Sequence, residues 1–558
     1  MCHLRNAALF LSALVISLAL ARAYRAPGDG RAIWITQAQI ATTSVPSDIE
    51  SFVTSGFATA GDGGKSCAYF RGADGPGQRR DANGQVWSLH PNEAVPVRCF
   101  GAFGRGDVTK ALVAAITGTD ASATLLFDQN VYAVGAPLPD IQGRQLRGLG
   151  PQATTIVFSH EGSGCLLTMS RQWASVRELA IRGPGKTAPG AACGIQMGAA
   201  GENPWQQRVD NVLVSDMPYA PIVVESGVAW GVTNSVLRNF GRYGLLVQNL
   251  TYADNGDSYV SGVMIVQDAV GRRSGTCLEQ RSGGGLRVQN NKLIGCDIGV
   301  DLAIADGQET GDILVVGNSI ENCATAGFRA GAGGPLGNGL FRMITFNGNE
   351  LFDMDNGLYV ASAAIGVLSS SGNVYSKMGS AIKIAGGSAI SIGNETIGSS
   401  TTGVDLTGSP AKVSIGKIVF TDVKTKINDT RIGQYGPVDY SDATFQSLAS
   451  ASSYTTLAKI APPNYGSVLI DLNLSGVLQG VGYSTRTIRI VASRAGSGAV
   501  TMQRPILDQS YGSPVDVNFD TSATGWVHVD VKRNAAAGGR SWDGNATLSA
   551  VGQIQSLQ

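Results

Sequence analysis

The chain has 558 residues, 42 basic and 42 acidic side chains, 74 glycines and only 15% charged residues. Balanced charge disfavours nucleic acid and anionic membrane surfaces as partners. The length predicts about three or four domains unless an elongated repeat relaxes that limit, and the glycine-rich, charge-poor composition points to a repeat.

Residues 1–23, "MCHLRNAALFLSALVISLALARA", combine a basic start, an apolar centre of secretory length and an Ala-x-Ala-like end, and read as a cleaved signal peptide. Its removal takes Arg5 and Arg22 and no acid, leaving 40 basic against 42 acidic side chains. No later apolar run is long enough to cross a bilayer, so the expected product is secreted and soluble, with no membrane partner. Seven cysteines follow, at 67, 99, 165, 193, 277, 296 and 323. An oxidising compartment would pair some of them and leave one over. No Cys/His spacing suggests zinc.

The stretch 99–116, "CFGAFGRGDVTKALVAAI", sets a glycine-rich run against a short amphipathic helix with Ala111, Leu112, Ala115 and Ile116 on one face. Such a helix suits the open end of a stacked repeat, whose unpaired backbone needs a lid. The "RGD" at Arg105 to Asp107 belongs to that turn.

From about residue 205 to 420 one phrase recurs: a short apolar strand, an Asn, an apolar pair, a variable insert, then Gly or Ala before a second strand. The recurring Asn residues are Asn211, Asn234, Asn291, Asn318, Asn349, Asn373 and Asn394, spaced by 23, 57, 27, 31, 24 and 21 residues. Strands too short to bury a face alone, repeated at a period in the twenties, must stack. A right-handed parallel β-helix explains the pattern, its Asn side chains forming a ladder from coil to coil. Cys296 and Cys323, each five residues after a ladder Asn, should stack on adjacent coils, either as a disulfide or as two buried thiols. Cys165 with Cys193 and Cys67 with Cys99 are pairings suggested by position alone.

The run "FGAFGRGDVTKALVAAI", with its glycines, Asp107, Thr109 and following helix, resembles the entry motif of the pectate-lyase-like β-helix superfamily, which includes phage tailspike depolymerases. Arg105 stands where that family often has Asp, and the acidic pair after Thr is absent. Upstream, "GFATAGDGGKSCAYFRG" and "DANGQVWSLHP", with Gly61 to Gly64 and Trp87, are similar to the head module that precedes tailspike helices. The resemblance implies an all-β fold, with head 24–98, β-helix 99–434 and a polysaccharide partner, and leaves a homotrimer and a monomer both open. Beyond residue 435 longer alternating strands read as a C-terminal antiparallel β-sandwich over 435–558.

Alternation along the strand after each Gly predicts two outward columns. One runs Val223, Leu246, Cys277, Asp301, Arg329, Tyr359, Lys383 and Asp405; the other includes Glu225, Gln248 and Glu279. Glu279 and Asp301, on neighbouring coils, are the candidate catalytic pair of a glycoside hydrolase or transglycosylase. Glu225, Arg329, Tyr359, Lys383, Arg272 and Arg281 are candidate substrate-binding residues. His90, His160 and His528, the histidines left after cleavage, lie outside the central coils. A polysaccharide lyase or uronate epimerase would use Arg329, Tyr359 or Lys383 as base, with calcium as its cation; the hydrolase needs no cofactor. A non-catalytic glycan-binding or adhesion module is the third reading. Inserts at 251–260, 270–285 and 304–312 would form walls, with Arg273 among their polar residues. Trp205, Trp230 and Tyr243 either stack on sugar rings or pack in the core.

Overall fold

A computed structural model describes residues 33–557 apart from 73–74, 90–93, 105, 249–256, 269–272, 304–308, 332–339, 362–364, 409, 411, 431–437, 447–454, 462–465, 479–481, 495–499, 503–506, 512–514, 522–526 and 534–541. The expected leader, His90 and Arg272 lie outside the described residues. The chain divides into two units: residues 1–104 with 110–126, and residues 105–109 with 127–558.

In the first unit Ser51–Val53, Ala68–Arg71, Val86–Leu89 and Arg79–Arg80 form an antiparallel sheet. Phe52 packs between Tyr69 and Trp87, at ring-centroid distances of 5.7 and 4.9 Å. The buried Trp87 donates its Nε1–H to Asp81 at 3.1 Å, which satisfies the one polar atom of a large apolar side chain. The loop Gly61 to Gly64 wraps Asp62, whose carboxylate accepts the backbone N–H groups of Phe57, Ala58, Thr59 and Gly64. Desolvation pushes that carboxyl up, but these four donors outweigh it and hold it below its ordinary value. Cys67 and Cys99 are disulfide-bonded.

The amphipathic helix forms at Thr109–Thr117 and buries Leu112, Ala115 and Ile116, three of the four residues assigned to its apolar face. Asp107 Oδ1 accepts the Thr109 N–H at 2.9 Å and the Thr109 hydroxyl at 2.5 Å. Thr109 in turn accepts the Gly135 N–H at 2.9 Å. Both motif residues therefore serve to start the helix.

The second unit is a parallel β-solenoid of about eleven turns. Its regular stacking is established by Asn130–Val134, which pairs in parallel with Thr154–Phe158, well before residue 205. Each coil contributes to three parallel sheets. The first runs through Arg208–Asp210, Gly231–Thr233 and Tyr259–Ser261; the second through Leu213–Met217, Val236–Phe240 and Met264–Val266; the third through Ala220–Val224, Tyr243–Val247, Thr276–Gln280, Ile298–Leu302 and Ala326–Ala330. In later coils the second and third strands merge, as in Glu350–Val360 and Val374–Ile384. Like side chains stack inside: Ile222, Leu245, Leu278, Val300, Phe328, Leu358 and Ile382 occupy one register position and are fully buried.

The Asn ladder exists, shorter than expected. Asn291, Asn318, Asn349 and Asn373 are buried, and each Oδ1 after the first accepts both the backbone N–H and the Nδ2–H of the Asn below at 2.9 to 3.0 Å. Asn211, Asn234 and Asn394 do not belong to it. They adopt φ of 51, 50 and 55° one position earlier, a left-handed corner that Asn tolerates better than most residues. The ladder site in their coils holds Val212, Ser235 and Glu395. Glu395 ends the ladder, accepting from Asn373 N at 2.7 Å and from the Ser370 hydroxyl at 2.6 Å.

Cys165 bonds Cys193, as position suggested. Cys296 instead bonds Cys277 on the preceding coil, and Cys323 is a free buried thiol. The stacking of Cys296 and Cys323 is correct, since Ala324 donates its N–H to the Cys296 carbonyl at 3.0 Å. The bond goes the other way because Cys277 is wholly buried and available to Cys296, instead of lying in the outward column.

Val438–Gln446 is the joint to the C-terminal strands. It pairs in parallel with Val413–Ile415 and antiparallel with Trp542–Leu557. The long alternating strands that follow pair antiparallel, as their pattern predicts: Gly466–Leu478 lies between Gly482–Arg494 and Trp542–Leu557, and Val515–Thr521 pairs with Val527–Arg533.

Candidate functional site on the third sheet

Parallel register places one outward residue per coil in line along the third sheet. The observed column is Gln196, Val223, Leu246, Glu279, Asp301, Arg329, Tyr359, Lys383 and Asp405. Glu279 therefore holds the place expected for Cys277, and Arg281 takes the second-column place expected for Glu279, beside Gln248 and Glu225. The shift is two residues, yet Cys277 is wholly buried and disulfide-bonded while Glu279 faces outward, so simple alternation fails at the start of this strand. Thr276 pairs with Tyr243 on one side and Ile298 on the other, so Glu279 is the fourth residue of its strand, level with Leu246 and Asp301.

The column brings together most of the residues singled out from the sequence. Asp301 is 2% exposed and accepts Arg329 Nε at 3.0 Å and Nη2 at 2.6 Å, a two-point ion pair. Glu279, 7% exposed, accepts Arg281 Nε at 2.7 Å. Arg281 also donates to Gln248 Oε1 at 3.2 Å and to the Tyr243 hydroxyl at 2.5 Å, and Gln248 Nε2 donates to Glu225 at 2.6 Å. One connected polar network thus runs from Glu225 to Glu279. Lys383 stands apart, its Nζ 5.3 Å from the centroid of the Tyr359 ring. Arg273 is a corner tie, donating to the Cys323 carbonyl at 2.9 Å and pairing with Asp353 at 2.6 Å.

Burial raises the Glu279 carboxyl above its ordinary value of 4.5; the neighbouring Asp301 charge adds to this, while Arg281 and Arg329 pull it down without cancelling it. Burial likewise raises the Tyr219 phenol, against Arg281 and Arg242. Tyr219 was not foreseen. It meets Tyr243 edge-on at 5.5 Å, and both rings cover an apolar cluster of Cys165, Cys193, Ala220, Val223 and Leu246 on the outer side of the sheet. Its signal was available, since Tyr219 in "MPYAPI" immediately precedes a third-sheet strand and Tyr243 in "GRYGLL" opens the next. Trp230 is fully buried and Trp205 exposed, which divides two tryptophans the sequence could not separate.

No group of three or more His, Cys, Asp or Glu side chains placed to hold a metal ion occurs among the described residues.

No family model and no curated protein matches the chain. Solved structures do resemble it. The tailspike protein gp49 of Acinetobacter baumannii bacteriophage Fri1, a capsular polysaccharide depolymerase, aligns over 94% of this chain and 100% of its own with 10% identity and a TM-score of 0.45. The A-module of the Azotobacter vinelandii mannuronan C-5 epimerase AlgE4 aligns over 60% and 97% at 15% identity and 0.47. The catalytic unit of a GH87 α-1,3-glucanase from Streptomyces thermodiastaticus aligns over 64% and 71% at 14% identity and 0.44.

Proposed function

We propose that this chain is an exported enzyme that cleaves a polysaccharide on the outer face of its third sheet. The observation that carries the reading is the pairing of Glu279 with Asp301 at one register position on consecutive coils, two buried carboxyl groups each held by its own guanidinium. Glu279, held above its ordinary value by burial, donates its proton to the glycosidic oxygen as the C–O bond breaks. Asp301 accepts the proton of the incoming hydroxyl compound, which is water in hydrolysis or a sugar hydroxyl in transglycosylation. The two guanidinium bonds from Arg329 leave each Asp301 oxygen a further lone pair for that purpose. Glu225, Gln248, Arg281 and the two tyrosines bind sugar hydroxyls and ring faces beside the cut.

The proton-abstracting reading has less support. Arg329 is committed to Asp301, and the Lys383 ammonium sits over the Tyr359 ring.

Incubation with a range of bacterial and plant polysaccharides, followed by chain-length and reducing-end analysis, tests the proposal. New reducing ends are expected, with about 10²-fold or greater loss in Glu279→Gln and in Asp301→Asn. Retained activity in both variants removes the site. Products with an unsaturated, ultraviolet-absorbing end transfer the reaction to the lyase class, and polymers of unchanged length leave a glycan-binding module.

A further inference from the structure

Two tryptophans on neighbouring coils of the solenoid, outside this polar network, are turned to solvent. Trp173 is 58% exposed and Trp205 is 54% exposed, whereas Trp230 on the next coil is fully buried. Large aromatic side chains left in water at a corner of a well-packed coil call for an explanation that scattered small apolar residues do not.

Their backbones are locked together. The Trp173 N–H donates to the Trp205 carbonyl at 3.0 Å, and Trp205 bridges in parallel to Val228 on the following coil. Trp173 adopts φ of 68°, a left-handed conformation that is a true outlier for a bulky residue. The same left-handed corner recurs at Gln206, Ala229 and Asp257 on the following coils, with φ of 57, 54 and 60°, so the turn belongs to the coil, and at Trp173 it carries a bulky ring into solvent.

The pair also lies on the right edge of the molecule. Both residues follow the ends of third-sheet strands, Gly164–Met169 and Ala192–Met197, which occupy the same sheet as Glu279 and pair in register with Ala220–Val224. Gln248 and Arg281 leave this same edge. Three register steps separate Gln196 from Glu279 and four separate Thr168 from it, roughly 14 to 19 Å along the axis at the usual strand spacing. That is the reach of a few sugar residues of one chain.

We infer that Trp173 and Trp205 form a remote platform for pyranose rings of a polysaccharide, holding the same chain that reaches Glu279. The inference rests on the proposed reading for its substrate but not for its chemistry. The negative face of an indole attracts the slightly positive axial C–H groups of a sugar, and its flat area covers one ring face without asking for a charge. The occupant is therefore a glycan strand, with uronate groups not required.

Affinity electrophoresis in native gels containing alginate, hyaluronan, dextran, laminarin or xylan tests this, with cleavage of each polymer assayed alongside. The unsubstituted protein is retarded by at least one polymer. Trp173→Ala and Trp205→Ala each weaken that retardation about tenfold at unchanged melting temperature, Trp205→Phe recovers part of it, and polymer-induced change in tryptophan emission is lost with the rings. No retardation by any of the five, or alanine variants retarded as strongly as the parent, overturns the platform. Cleavage together with the second result leaves the reaction standing without the platform. Retardation by an uncleaved polymer that depends on both rings leaves the platform standing without the reaction.

Discussion

Glu279 and Asp301 face the same way from consecutive coils, and each is answered by a different guanidinium: Arg281 from Glu279's own strand, Arg329 from the coil beyond Asp301. The two acids are thus adjacent in one column, and each carboxylate is held by its own arginine.

The burial of Glu279 sets a pH dependence. A proton donor works only while protonated, and burial keeps Glu279 above 4.5. The alkaline limb of kcat/KM should therefore lie above that value. Arg281 exerts the strongest downward pull on Glu279, so Arg281→Gln should move the limb to higher pH. A limb that stays put would exclude Glu279 as the donor.

Asp301 depends on Arg329 for more than orientation. In Arg329→Leu a carboxylate 2% exposed loses its two-point partner, which should cost about 3 kcal/mol in denaturant unfolding. Adding Asp301→Asn should recover most of the loss, because the uncompensated charge goes with it. Additive losses would mean that the two residues are not coupled.

The ladder's end gives a second pH effect, on stability. Glu395 is raised by burial to about 7, against the hydrogen bonds from Ser370 and Asn373 that favour its charged form. The unfolded chain releases this proton near 4.5, so the contribution is full below that pH and is lost as pH rises toward 7, by roughly 3 kcal/mol. Glu395→Asn continues the ladder with a neutral side chain, and its melting temperature should be flatter between pH 4.5 and 7 than the parent's. Equal slopes would show that Glu395 ionises alike in both states.

Within the ladder, position decides cost. Asn318→Ala removes the acceptor of the buried Asn291 N–H and should destabilise by about 2 to 3 kcal/mol. Asn394→Gly, at an exposed corner with φ of 55°, should change stability by only a few tenths. Comparable losses from the two would contradict their assignment to different columns.

Much of this was legible along the chain. The coil, the helix at Thr109–Thr117, the antiparallel C-terminal strands and the outward face of Glu279, Asp301, Arg329, Tyr359 and Lys383 all follow from alternation, which fixes a face without reference to neighbours. What alternation leaves free is a shift by two residues, which is why Asp301 meets Glu279 instead of Cys277. Alternation also fails at Cys277, which is buried at the start of its strand and there finds Cys296.

The sequence by itself determined that short strands would stack into coils with a polar column outside and an Asn ladder within, because strand period and repeat length are local properties. Only the tertiary structure decided which Asn enters the ladder, which arginine each acid keeps, and which tryptophan is buried. Those outcomes depend on the register between segments 20 to 80 residues apart, and register is set by the packing of whole coils, which no single segment contains.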